Sequence, residues 1–228
     1  MLTDALGAVA VGSRRSGPAT SDVPTIAWKS AYGVLAATAL AVALGIGFFT
    51  YGGIFAPLSD AGGLLVGLLL VPLVRALAVL NRDDRLAGGV FLLGVAATAG
   101  IIIGSTGLLA VHLFSLDPAV YGAGFLGVQF VGWLLLGAWL LGVGALGLRT
   151  DSVAGRASWA AVASGVGAAG GIVSLVYSYA VGSFTPAFPL LMALYAVGFV
   201  CWAFWLGGEL RPSGDPDGRD GEPVRGSA

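Results

Sequence analysis

The side chains able to do chemistry in this 228-residue chain are few: one His (His112), one Cys (Cys201), one Gln (Gln129), one Asn (Asn81) and one Lys (Lys29). A lone cysteine cannot close an internal disulfide. One imidazole and one thiol leave too few soft ligands for a zinc or iron–sulfur site. No metal and no cofactor are therefore expected. Thr98, Ser105 and His112 recur every seven residues, so a helix would place them on one face. Two turns separate Ser105 from His112 by ~10.5 Å, whereas a nucleophile and its base need ~3 Å. Ser105 and Thr98 are better read as bonding within or between helices. Lys29 stands outside every long apolar run, which excludes a buried Schiff-base lysine. With no nucleophile–base pair in view, an enzyme is the least favoured function class.

Five polar residues stand out as candidates for a ligand site or a polar bridge: Gln129, Ser105, Ser174, His112 and Arg75. An amide in hydrocarbon is unfavourable without a partner, so Gln129 should face protein. Ser105 or Ser174 is its expected partner. His112 is either an interfacial imidazole bonded to water or backbone, or a pH-sensitive or ligand-binding group. Arg75 either contacts a substrate or lipid phosphate or snorkels to the membrane surface, and snorkelling is favoured. The acids Asp60 and Asp117 are assigned to loops and Glu209 to a boundary, leaving no carboxylate at mid-membrane. That weakens a transporter built on a buried carboxylate.

A second set of positions has no side chain to speak of. Ala157, Ala160, Ser164, Gly167, Gly171, Ser174 and Ser178 step by three and four, giving one smooth helical face. Ala97, Gly100, Gly104 and Gly107 repeat the device, and Gly63 lies one turn before Gly67. Such faces let a neighbouring backbone come close. Packing is the favoured reading, and a sliding or polar lining is the alternative.

These residues need long helices to position them. Apolar types make up 57% of the chain and charged types 10%, with mean hydropathy +0.92. Soluble domains run nearer a quarter charged, so a soluble globular fold is excluded and the lipid bilayer is the expected surroundings. Net charge −1 argues against nucleic acid as a partner. Six segments reach the ~20 apolar residues a membrane-spanning helix needs: about 30–50, 61–80, 86–114, 119–148, 157–182 and 188–209. The fourth opens on Asp117-Pro118, an N-cap with proline at the first helical position. Pro72 should kink the second.

The joints set the topology. All of the Lys and Arg outside the spans lies in 1–29, 81–85, 149–156 and 210–228, and none in 51–60, 115–118 or 183–187. Arg75 is near enough to Leu80 to snorkel to the same side. This positive-inside pattern places both termini in the cytoplasm of a multi-pass cell-membrane protein. Aromatic residues gather near span ends as interfacial belts, among them Trp28, Trp159, Trp202 and Trp205. The fold class is thus all-α and polytopic, with six transmembrane helices. Residues 1–28 form a flexible cytoplasmic arm, 29–210 the transmembrane domain and 211–228 a disordered cytoplasmic tail.

Residues 28–210 resemble the small six-span membrane proteins of prokaryotes whose families have no assigned activity. The resemblance rests on six spans, Gly-rich helices and a last helix ending Trp202-Ala203-Phe204-Trp205-Leu206-Gly207-Gly208. It implies no catalytic or binding residues. The leading expectation is a non-enzymatic bundle acting through packing and contacts with a membrane-protein partner or a second copy. The alternative is a small transporter or ligand-binding protein with a cavity between the helices.

Overall fold

The computed structural model describes residues 26–211 apart from positions 52 and 184. Nearly all of the expected N-terminal arm and C-terminal tail lies outside the described residues. Six helices follow one another: α1 (Ala27–Tyr51), α2 (Phe55–Leu80), α3 (Ala87–Leu113), α4 (Ala123–Thr150), α5 (Gly155–Val181) and α6 (Ala187–Leu210). No strand occurs among the described residues. All six helices are long and apolar enough to cross a membrane.

The joints have local causes. The Asp117 carboxylate accepts from the Ala119 amide at 2.9 Å, and Pro118–Gly122 then forms one π-helical turn leading into α4. Asp84 accepts from the Leu86 amide at 2.8 Å ahead of α3. Gly182 ends α5 in the left-handed conformation, φ 70°, which glycine adopts without a Cβ penalty. α2 continues through Pro72 and starts earlier than the apolar run suggests, at Phe55 rather than near residue 61. Pro57 falls in its first turn, where amide hydrogens have no intrahelical acceptor in any case. This corrects the assignment of Asp60 to a loop: Asp60 belongs to the second turn of α2.

Each helix packs on its neighbours in sequence, and α1 packs on α6 to close a ring. One end of the bundle gathers the basic residues. There Tyr32 stacks edge-on against Phe204, Arg211 lies over Trp28, and Arg156 lies over Trp205. This is the basic end below; the opposite one is the far end. The centre is filled by Trp139, Trp202, Phe199, Leu70, Leu73 and Leu140, all fully buried. The Trp139 and Trp202 rings meet edge to face at 5.7 Å. Trp202 is therefore a core residue and not part of an interfacial belt, while Trp159 is exposed.

Apolar side chains gain little from leaving lipid for protein, so close backbone approach has to hold the helices together. A Cβ built on Gly100 of α3 would lie 2.9 Å from the Gly132 Cα of α4. One on Gly165 of α5 would lie 2.7 Å from the Gly137 carbonyl oxygen of α4. Glycine at these positions lets the α3–α4 and α4–α5 backbones touch.

Candidate functional site

Three helices bring polar groups together toward the far end. Asp60 and Gly63 are three residues apart on α2 and share a face. On α3, Ser105 and His112 share a face by their seven-residue spacing. Gln129 enters from α4. The His112 Nε2 lies 3.4 Å from the Asp60 Oδ2, with the side chains 38% and 15% exposed. Gln129 donates from Nε2 to the Ser105 Oγ at 2.9 Å. Ser105 is fully buried and Gln129 nearly so.

Two glycines make room for this group. A Cβ on Gly63 would sit 2.8 Å from the Ser105 Oγ and 3.6 Å from the Gln129 Nε2. A Cβ on Gly104 would come 2.6 Å from both the backbone nitrogen and the Cβ of Gln129. Side chains at either position would push the polar groups apart. The assembled site offers a carboxylate, an imidazole, an amide and a hydroxyl. The serine is held by the glutamine and not by the histidine, so Ser105 and His112 do not form a nucleophile–base pair. Asp60 and His112 are metal-type donors, but no group of three or more His, Cys, Asp or Glu side chains forms among the described residues.

Sequence reasoning missed Asp60. The usable signal was its spacing: Asp60, Gly63 and Gly67 step by three and four, which puts the acid on the small-residue face of α2. Gly67 packs against Ile101 and Ile102 of α3, so that face is turned inward.

Other candidates lie elsewhere. Ser174 pairs with Thr185 at 2.7 Å, and Ser178 donates to the Ser174 carbonyl at 2.7 Å. Ser164 donates to the Tyr195 carbonyl at 3.2 Å. Gly167 meets the backbone of Leu191 and Tyr195, and Gly171 meets Met192. The small face of α5 is thus turned toward α6 and the joint before it. Arg75 is exposed and stands apart from the polar group. Thr98 donates to its own helix at the Gly94 carbonyl, 2.7 Å away.

A second polar network ties the joints of the basic end. The Asn81 Oδ1 accepts from Thr150 at 3.1 Å and from Ser152 at 2.8 Å. Glu209 accepts from the Ala154 amide at 2.8 Å, just ahead of α5. The run Arg82-Asp83-Asp84-Arg85 reads as a solvated loop with self-compensating charges, but Asp84 departs from that reading. Its side chain is instead 8% exposed and lies 3.4 Å from the Arg149 Nε. Compared with known proteins, the chain matches no family model, no curated protein and no solved structure.

Proposed function

We propose that this chain is a non-enzymatic, multi-pass membrane protein that binds a small polar ligand carrying a cationic group at the far end of its bundle. The carrying observation is Asp60, a largely buried carboxylate within a spanning helix, facing His112 at 3.4 Å. Ionisable groups in membrane segments are costly and are kept where they serve a site. Gly63 supplies the space beside them. Toward the centre the interior is filled by Ile101, Leu136 and Trp139, which favours a binding site at one end over a path through the bundle. The one-sided basic residues orient the basic end to the cytoplasm and the site to the outside of the cell membrane.

The test is thermal unfolding of the purified protein in detergent against small primary and quaternary amines. A ligand at 100 times its Kd should stabilise by ~2.7 kcal/mol, and Asp60→Asn should abolish that shift. If no amine shifts the wild type, or Asp60→Asn shifts equally, the binding reading fails. A second reading rests on the Gln129–Ser105 bond, which by itself satisfies two buried groups. There the cluster is a structural bridge, and the protein acts through packing and contacts with a partner or a second copy. Gln129→Leu separates the two: it abolishes amine binding in the first reading and lowers only stability in the second.

A further inference from the structure

At the basic end, α3 and α4 part enough to leave a groove of about 500 Å³ between them. Its volume is within the ~300–1,000 Å³ of ordinary ligand pockets. Val90, Leu93 and Leu146 wall it, and Arg149 stands among its lining residues at the last turn of α4. Gly89 opens it: a Cβ there would meet nothing within 4 Å. The groove lies along membrane-spanning segments, so lipid is the molecule in constant contact with it.

We propose that this groove binds an acidic phospholipid, one acyl chain lying between α3 and α4 and the phosphate resting on Arg149. Charge and chemistry select this occupant. The Arg149 side chain is 61% exposed, and its Nε lies 3.4 Å from the Asp84 Oδ2. The planar guanidinium carries five N–H donors, which suits bidentate binding of phosphate oxygens. Arg85 directly precedes Leu86, another lining residue. Across the joints 81–85 and 149–156, Arg82, Arg85, Arg149 and Arg156 outnumber Asp83, Asp84 and Asp151 by one positive charge. An amphiphile with an apolar tail and an anionic head matches a groove that is apolar along its length and basic at one end. Basic pockets between helices hold acidic headgroups by this same balance.

Native mass spectrometry of the full chain, with phosphatidylglycerol and phosphatidylcholine offered at equal concentration, tests the proposal. Wild type should hold phosphatidylglycerol at least tenfold more tightly. Gly89→Leu should cut that binding about tenfold, since the new side chain meets no protein atom at its Cβ and fills the groove. Arg149→Gln should bring the two lipids within twofold of each other. Asp84→Asn should strengthen phosphatidylglycerol binding, because it releases the guanidinium from its competitor. A merely structural Arg149–Asp84 pair predicts no gain from Asp84→Asn. Should Arg149→Gln fail to fold, Gly89→Leu and Asp84→Asn still decide the matter. Equal binding of both lipids by wild type, unchanged binding by Gly89→Leu, or displacement of the lipid by inorganic phosphate alone would each overturn the proposal.

Discussion

Replacing Gly167 by alanine tests whether backbone contact between α5 and α6 holds the bundle. A Cβ at Gly167 would fall against the Tyr195 amide nitrogen and lie 2.7 Å from both the Leu191 carbonyl oxygen and the Tyr195 Cα. All three are backbone atoms, so no rotamer change relieves the overlap and the helices must separate. Across the same seam a Cβ on Gly198 would lie 2.8 Å from the Ser164 amide nitrogen, so a shift at one contact disturbs the other. Overpacking of this kind costs about 1–3 kcal/mol. The gain in helix propensity from glycine to alanine returns about 1 kcal/mol, leaving a net loss of up to about 2 kcal/mol. Gly171→Ala should be close to neutral, because its nearest neighbour is the flexible Met192 sulfur at 2.8 Å. Gly171→Leu exceeds what Met192 can yield and should destabilise. Gly88→Ala meets nothing within 4 Å and should stabilise by about 0.5–1 kcal/mol. Each kcal/mol moves the Tm of a chain this size by about 2–4 °C. Circular-dichroism melts in detergent should therefore rank Gly88→Ala above wild type and Gly167→Ala clearly below. A Gly167→Ala protein as stable as Gly88→Ala would refute the seam.

The Tyr195 hydroxyl is buried with no hydrogen-bond partner among the described residues. Tyr195→Phe should accordingly raise stability, by up to about 1–3 kcal/mol, and an unchanged or lower Tm would mean that the hydroxyl is satisfied. Asn81→Leu removes the acceptor shared by Thr150 and Ser152 and should cost about 1–3 kcal/mol; chemical denaturation showing no loss would dismiss the joint as a fastener. Cysteine placed at position 118 should be labelled by an impermeant reagent outside intact cells, and cysteine at 152 should not. The reverse pattern would invert the proposed orientation.

Six helices long and apolar enough to cross a membrane were legible in the sequence, because length and apolarity add up locally, residue by residue, and a bilayer demands a fixed length. The joint at Asp117-Pro118 was legible for a similar reason, since a cap depends on adjacent residues. That Gln129 needs a protein partner also followed locally, from the cost of a bare amide in hydrocarbon. Which partner it takes did not. Two serines remained eligible, and the rotation of α3 and α4 about their axes brings Ser105 to Gln129 while Ser174 turns to Thr185. Those rotations are poorly encoded, because helices apolar on all sides show lipid and protein nearly the same surface. Asp60 illustrates the limit. Hydropathy alone put it in a loop, whereas packing of the Gly63 and Gly67 face on α3 draws α2 inward and carries Asp60 to His112. Likewise Trp202 reads as an interfacial aromatic until α4 supplies Trp139 as its neighbour. Composition determined that the chain forms membrane-length helices; only the fit of one glycine face against the next backbone decided which polar groups meet.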